Sequence, residues 1–548
     1  MPHHIFGTAR FFVLKIPSNI RTPFFTVLTI SFLVGNPISL LSQVTKENAP
    51  KETGDKPPAV KDVKSTENEG EFEARPPRTD LPFEVDEKKR LNNRDFKLKK
   101  EGGYFTGLPL LNSDPNAGIG YGIRVFYFYN GEKTRPLFEY TPYKFRVFAR
   151  YFQTTRNNQY QDLSFDAPFI FDTRWRVRAD LIYEKNTNLL YFGVGEKTLQ
   201  PLSYLERNDP TGRQVRNATF DEYSENLAFR RPNDMSGIAA PTVADNKYNR
   251  YQLENPNYTM SGEYSFLGGT LRTIAGVRLS KQIIRTFDGK WQDAKYGSTD
   301  IVAGVPLPVF GESYTLSTPQ GEGKLSEDNK AGKIVGFNGG FVNTARAAIV
   351  YDTRDFEPDP NRGMFLEYTH ERSAKSFGSD YEFNKNYVSG RIFISPVQYF
   401  TKRPPPLLEK LVLGAKAAMV QTNGDAPFYE IRNMWGTEIT QSGLGGRTTL
   451  RGYKQDRFIG QTMGYANFEL RWKFASADIW KQHFDFQIVP FYDVGRVWDA
   501  TRLVNLQGYK HSRGIGLRIP WNQATVIIID HAWSNEDSQT FINFNHIF

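Results

Sequence analysis

The sequence contains no cysteine among its 548 residues. This absence excludes a disulfide framework, a thiolate zinc site and a cysteine nucleophile. Histidine is also scarce, because the seven histidines are scattered with no pair at metal-ligand spacing, and the sequence has no Gly-x-Ser-x-Gly motif. We therefore expect no metal site, no cofactor and no enzymatic activity.

A hydrophobic run long enough to cross a membrane as a helix is also missing. The longest run, Phe24 to Val34, has about half of the ~20 residues that a spanning helix needs. Basic residues precede the run and small and polar residues follow it, which is the order of a secretory signal peptide. Residues 1–42 are therefore predicted to be a signal peptide, with a buried strand or helix near the N-terminus as the alternative. An exported chain of this kind can span a membrane only as a barrel.

The composition changes twice along the chain. Residues 43–103 are rich in Lys, Glu, Pro and Asp and nearly free of aromatic residues, which predicts a disordered periplasmic linker. From Tyr104 to Phe548 the chain consists of aromatic, alternating segments separated by Gly, Pro, Asn and Asp, so 104–548 is predicted to be one domain. The net charge of +9 is spread through these segments without a long basic run, so we expect no nucleic-acid partner.

The alternation of side chains indicates a membrane barrel. From Arg174 to Glu184, odd positions are apolar and even positions are mostly charged. From Gly464 to Phe474 the residues alternate in the same way, with apolar residues at even positions and polar or charged residues at odd positions. One face of such a strand suits lipid and the other suits a hydrated lumen. A soluble sandwich would produce the same alternation, and the signal peptide, the segment length and the aromatic strand ends favour the barrel.

The segments indicate an all-β fold, a transmembrane antiparallel β-barrel of about 16 strands in the bacterial outer membrane. The predicted strands begin near Phe105, Gly118, Tyr143, Tyr160, Arg174, Asn257, Thr270, Val342, Gly363, Lys385, Leu411, Met463, Phe484, Gly514, Thr525 and Phe541. Two long connections, Lys185 to Pro256 and Thr286 to Gly340, are expected outside the cell, and short turns are expected in the periplasm. The terminal aromatic Phe548 is also typical of outer-membrane barrels.

A glycine-rich segment carries a more specific resemblance. Gly443 to Gly460 reads GLGGRTTLRGYKQDRFIG, and four further segments follow the same family pattern in the same order. These segments are YDTRDFEPDPNRG at Tyr351 to Gly363, YANFELRWKF at Tyr465 to Phe474, VPFYDVGRVW at Val489 to Trp498 and RGIGLRIP at Arg513 to Pro520. Together they resemble the outer membrane protein 85 superfamily, the bacterial surface antigen barrel of BamA and TamA. The resemblance covers roughly Phe105 to Phe548, excluding the two long connections.

The resemblance implies an extracellular loop that folds back into the barrel. Its Arg-Gly-aromatic motif corresponds to Arg451, Gly452 and Tyr453. Strand parity places Glu469 and Asp493 on the inward face, and the resemblance implies that Arg451 pairs with both carboxylates. An arginine fork suits such a contact better than a lysine does.

The resemblance also implies a weak seam between the first and last strands. The first strand contains Gly107 and Pro109, and proline cannot donate to a strand ladder. The seam residues are therefore predicted to be Thr106, Gly107, Pro109, Phe544 and Phe548.

The function that the resemblance implies is insertion or translocation of proteins or lipids at the outer membrane. The expected partners are outer-membrane lipid, and outer-membrane protein clients or a periplasmic partner, around a monomeric barrel. The sequence departs from active family members because residues 45–100 are too short and too polar for a periplasmic substrate-binding (POTRA) module. The alternative is a passive, anion-favouring pore or a surface-binding protein that acts through its long loops.

Overall fold

A computed structural model describes the chain from residue 78 to residue 544. The ranges 88–89, 92–95, 97–98, 115–117, 206–213, 228–246, 297–299, 303–304, 308–313, 356–358, 401–410, 480–481 and 522–524 are not described. The predicted signal peptide, residues 43–77 of the predicted linker and Phe548 therefore lie outside the described residues.

Long antiparallel strands dominate this part of the chain, as the alternation predicts. They are β1 (Gly103–Asp114), β2 (Gly118–Tyr129), β3 (Phe145–Thr154), β4 (Gln159–Ala167), β5 (Trp175–Leu190), β6 (Arg250–Phe266), β7 (Leu271–Arg285), β8 (Thr344–Asp352), β9 (Gly363–Ser373), β10 (Phe383–Ile394), β11 (Leu411–Gly424), β12 (Thr462–Ile479), β13 (Gln482–Trp498), β14 (Lys510–Trp521), β15 (Thr525–Trp533) and β16 (Ser538–Phe544).

Each strand pairs antiparallel with the next one along the chain, from β1 to β16. Among the described residues this meander has sixteen strands, each within a few residues of its predicted position, except that β6 begins seven residues earlier. The predicted all-β antiparallel barrel is confirmed. Within the described ranges, β1 pairs only with β2 and β16 only with β15.

The two faces of the sheet differ in chemistry. Large apolar side chains such as Ile349, Leu366 and Val388 are exposed on the outer face. Charged side chains on the same strands, such as Glu367 and Arg391, are 3% exposed and point inward. The outer face therefore suits lipid, and the inner face holds the polar groups that lipid could not solvate.

The shorter elements lie in the connections between strands. The α-helices are α1 (Phe220–Leu227), α2 (Lys324–Lys330), α3 (Val397–Phe400) and α4 (Phe428–Ile431). The 3-10 turns are Pro136–Glu139, Ile170–Asp172, Glu196–Leu199, Leu267–Gly269, Lys375–Phe377 and Thr501–Leu503. Short strands are Ser203–Leu205 with Gln214–Arg216, Trp291–Tyr296 with Tyr314–Pro319, Asp300–Val302 with Val305–Leu307, Asn433–Trp435 with Thr440–Ser442, and Gly340–Phe341 against β7. Within the part of the chain that the structure describes, no helix has the length and apolarity needed to cross a membrane.

The long connections emerge from one end of the barrel, here called the long-loop end, and the opposite end is called the short-turn end. The first long connection covers residues 191–249, since β5 and β6 extend into the range predicted as loop. Alternation persists through Lys185 and Glu254, which pair across the two strands. The predicted loop of 185–256 was therefore too long at both ends, because polar residues on a lumen-facing strand resemble loop residues in composition.

The described residues of the predicted linker contact the barrel. Leu81, Phe83 and Val85 pack with Leu137 and Tyr140 at the short-turn end, and Val85 is 7% exposed. The backbone N–H of Asp86 donates to the carbonyl of Gly268 at 3.0 Å. The described residues between 78 and 100, here called the strap, therefore contact the turns that join β2 to β3 and β6 to β7, and β1 starts at Gly103.

A buried carboxylate secures the strap. Glu139 is 4% exposed and accepts hydrogen bonds from Arg78 at 2.8 Å and Arg90 at 2.7 Å. Hydrogen bonds to Asp80 and Glu139 raise the pKa of Arg78, so this arginine stays charged. Lys99 donates to the carbonyls of Phe138 and Thr141, each at 2.6 Å. A few specific contacts thus hold the described residues of the strap against the barrel.

Glu139→Gln is expected to release the strap. Arg78 and Arg90 donate to different oxygens of Glu139, and glutamine keeps only one of these oxygens and carries no charge. The loss of charge-assisted bonds of about 1.5–3 kcal/mol corresponds to roughly 10- to 100-fold more frequent opening. The measurement is the rate of tryptic cleavage between residues 78 and 100 in the folded protein. Glu132→Gln, an exposed position on the same turn, is the control and should leave the rate unchanged. Equal rates for both variants would show that Glu139 does not hold the strap.

Candidate functional site

The connection between β11 and β12, residues 425–461 and here called the inward loop, lies against the inner face of the barrel. Its first part contacts β7 and β10. Glu430 is fully buried and accepts from both terminal nitrogens of Arg278 at 3.0 and 2.8 Å. Lys385 Nζ lies 3.2 Å from the same carboxylate. These paired charges fix the beginning of the loop to one side of the lumen.

The middle of the inward loop extends toward the short-turn end. Glu438 pairs with Arg391 of β10 and with Arg354, which lies in the short turn between β8 and β9. Glu367 of β9 accepts from the backbone N–H of Thr437 at 2.8 Å. The loop therefore passes along the lumen instead of remaining at the long-loop end.

The second part of the inward loop places Arg451 against the opposite wall. Its guanidinium donates to Asp493 through Nε at 2.8 Å and Nη2 at 2.7 Å, a bidentate contact. Nη1 donates to Glu469 at 3.0 Å and to Asp530 at 3.1 Å. The guanidinium carbon also lies 3.4 Å from the ring centroid of Phe491. The Arg451 side chain has 0% exposure, so these contacts are shielded from water and salt.

The structure thus brings Arg451, Glu469 and Asp493 together and adds three groups to them. Asp530 of β15 and Arg518 of β14 form an ion pair, and Arg471 Nε donates to Glu469 at 3.0 Å. Three arginines and three carboxylates make a cluster that balances its charge while buried. Sequence reasoning missed Asp530, although a single acid in the apolar strand TVIIIDHAW was an available signal.

Gly452 and Tyr453 bring the loop close to the wall. Gly452 has φ +88°, and a Cβ there would lie 2.9 Å from the carbonyl carbon of Trp533, so only glycine fits without displacing backbone. Ser534 Oγ donates to the Gly452 carbonyl at 2.7 Å. Tyr453 is 1% exposed and its ring centroid lies 5.1 Å from that of Phe458.

The end of the inward loop is tied to the connections at the long-loop end. Arg457 donates to Glu536, in the turn between β15 and β16, at 2.6 and 2.9 Å. Its other donors reach the carbonyls of Thr198 at 2.6 Å and Gln200 at 2.9 Å in the connection between β5 and β6. The loop therefore joins the last hairpin to the first long connection.

The predicted seam residues lie on edge strands. Thr106, Gly107 and Pro109 are in β1, opposite Phe126, Val125 and Ile123 of β2. Phe544 ends β16, and Phe548 lies outside the described residues. The structure thus places the first group on a strand that is paired on one side, and it shows no ladder between β1 and β16 among the residues it describes.

The inward loop covers the inner wall unevenly. Inward positions of β9, β10 and β11 are nearly all buried, including Phe365, Tyr387 and Val420. Inward positions of β2 and β3, including Phe126 and Phe148, remain half-buried. The part of the lumen beside β2 and β3 is therefore more accessible than the part beside β9, β10 and β11. Among the described residues no cluster of His, Asp and Glu is suited to a metal ion.

Comparisons with solved structures give similar barrels at low identity. They include BamA from Haemophilus ducreyi lacking POTRA domains 1–3, with a TM-score of 0.42, 12% identity, and coverage of 82% of this chain and 70% of that one. CdiB from Escherichia coli gives a TM-score of 0.41, 10% identity and coverage of 81% and 61%. CdiB from Acinetobacter baumannii gives a TM-score of 0.39 and 10% identity, with coverage of 82% of this chain and 60% of that one. The chain thus spans less than two thirds of either CdiB, and no curated protein matches it.

Two family profiles match the sequence. A domain of unknown function, DUF5982, matches residues 81–144, which include most of the strap, β1, β2 and the turn that holds Glu139. The Omp85 superfamily domain matches residues 141–545, which is 405 of the 548 residues. The resemblance seen in the sequence is confirmed: the chain belongs to the Omp85 superfamily.

Proposed function

We propose that this chain is a bacterial outer-membrane barrel that assists insertion or translocation of proteins or lipids, and that its cargo passes beside the seam between β1 and β16. The observation that carries the proposal is the free edge of β1, which pairs only with β2 among the described residues. An unpaired edge offers backbone donors and acceptors to another strand. In a barrel it is also the place where the wall can part at the lowest cost.

The inward loop supports this route. Buried ion pairs tie it to β7 on one side of the lumen and to β13 and β15 on the other. Cargo that moved through this part of the lumen would have to break those contacts. Inward side chains of β2 and β3, near the β1 side of the seam, remain half-buried, so a path along them leaves these ion pairs in place. Protein clients or a periplasmic partner belong to this proposal.

The accessible part of the lumen also favours a second candidate, a passive anion-favouring pore. Arg146 and Arg150 are half-buried on the inner wall, with side chains 32% and 24% exposed. A cationic wall attracts anions into a water-filled channel. The two candidates differ in how open the resting barrel is.

Conductance in planar bilayers separates the two candidates. If cargo passes at the seam, the purified full-length protein should be closed most of the time with brief openings, because the loop and its ion pairs obstruct the lumen. A steady, open, anion-selective current would overturn the proposal and favour the pore. Protein-free bilayers and bilayers with heat-unfolded protein serve as controls for leakage.

A further inference from the structure

A stack of four aromatic rings lies on the inner wall beside the seam. The ring centroids of Tyr104 and Phe128 are 5.4 Å apart, those of Phe128 and Phe126 are 5.4 Å apart, and those of Phe126 and Phe148 are 4.7 Å apart. The interplanar angles are 21°, 19° and 27°. The stack runs from β1 across β2 to β3. It is unusual on the lumen face of a barrel, where polar side chains are the rule.

Three arginines flank the stack. Arg124 lies 5.5 Å from the ring centroid of Phe148, and Arg146 lies 5.8 Å from that of Phe126. Arg150 lies 5.6 Å from the Phe148 centroid. The arginine-aromatic patch is thus a continuous surface of rings and guanidinium groups.

The patch carries more positive charge than its carboxylates balance. Arg150 pairs with Asp162, and Arg146 lies 3.6 Å from Asp166, which also pairs with Arg176. Arg124 makes no ion pair with any residue that the structure describes, and its charged neighbours are Arg150, Arg146 and Asp162. Excess cationic charge on a half-buried wall attracts an anion.

The strand register places two of these positive charges opposite each other. Arg124 lies directly opposite Arg150 across the ladder between β2 and β3, an arrangement that destabilises a sheet because like charges repel. A bound anion between the two guanidinium groups would turn this repulsion into two charge-assisted contacts. The arrangement therefore favours the patch with a bound anion over the patch without one.

We propose that the arginine-aromatic patch binds an anionic amphiphile, with a phosphate-type head group on Arg124 and Arg150 and an apolar chain along Phe126, Phe128 and Phe148. The rings face one another and the guanidinium groups, so the lumen meets mainly their edges. Ring edges suit an acyl chain better than a sugar ring, which stacks on open faces. The site does not depend on the proposed function. Only the entry route, from the bilayer through the adjacent seam, rests on it.

Arg124→Gln is the variant that tests the site. Because Arg124 has no ion-pair partner in the described residues, its removal leaves no carboxylate unpaired, and the barrel should fold normally. Arg285→Gln is the matched control: it removes the same charge from a half-exposed side chain on β7 that pairs with Glu254. Folding of each variant is checked by the shift in gel mobility between heated and unheated samples.

The measurement is titration calorimetry of dodecyl phosphate into full-length protein in phosphatidylcholine nanodiscs, with empty nanodiscs subtracted. We expect saturable binding that is about 10- to 100-fold weaker in Arg124→Gln and unchanged in Arg285→Gln. Dodecyl maltoside should show no saturable binding, and inorganic phosphate should compete only weakly. Equal affinity of Arg124→Gln and wild type would overturn the site. Equal affinity of inorganic phosphate and dodecyl phosphate would overturn the proposal that the rings bind an apolar chain, and it would show that the patch binds simple anions.

Discussion

Arg451→Met is expected to destabilise the barrel by about 3–5 kcal/mol, the usual cost of removing one partner from a buried ion pair. Asp493 is the carboxylate most affected, because it loses its one ion-pair partner among the described residues and keeps only two neutral donors there, the side-chain amide of Asn467 at 2.9 Å and the backbone N–H of residue 451 at 3.1 Å. Glu469 keeps Arg471 and Arg518, and Asp530 keeps Arg518. The cost therefore falls on one named group.

This unequal distribution allows a rescue experiment. Adding Asp493→Asn to Arg451→Met should recover a large part of the lost stability, since it removes the unpaired charge. Adding Glu469→Gln should not, because Glu469 retains two arginines and their pairing would be lost as well. The measurement is the urea midpoint of unfolding, followed by gel mobility at a fixed incubation time. An unchanged midpoint for Arg451→Met, or equal rescue by both second substitutions, would contradict the assigned contacts.

Alternation of side chains was enough to predict most of the barrel. Lipid on one side and polar groups on the other impose a period of two on every strand, so the sixteen strands could be located from the sequence. The same parity put Glu469 and Asp493 on the inner face. Parity predicts the face of the sheet on which a side chain lies but not the residues that it contacts. It therefore could not show that Arg518 and Asp530, from two further strands, join the Arg451 cluster.

The strap shows where composition misleads. The average composition of a polar segment with few aromatic residues predicts disorder. The described part of the strap is held in place because Arg78 and Arg90 both pair with one buried carboxylate, Glu139. These contacts join residues 61 and 49 positions apart, which no local pattern reveals. The aromatic stack was hidden for a related reason: Phe126, Phe128 and Phe148 occupy inward positions that alternation alone would assign to polar residues.

A disulfide across the seam is expected to abolish insertion or translocation while leaving the barrel folded. The two substitutions are Thr106→Cys on β1 and Asn545→Cys, at the residue that follows Phe544, and formation of the bond is verified on a non-reducing gel before the assay. If cargo passes where these strands part, a covalent bond between them should reduce activity by at least about ten-fold, and reduction should restore it. Val125→Cys with Ala149→Cys is the matched control, because these residues face each other across β2 and β3, which are already paired.

The most direct measurement of passage at the seam is the rate of insertion of a small barrel substrate into liposomes that contain the Thr106–Asn545 disulfide variant, before and after reduction. A parallel assay follows movement of a labelled phospholipid between leaflets. We expect one or both rates to fall when the disulfide forms and to recover on reduction, while the Val125–Ala149 variant stays at the wild-type rate. Undiminished rates with the seam disulfide fully formed would contradict passage between β1 and β16.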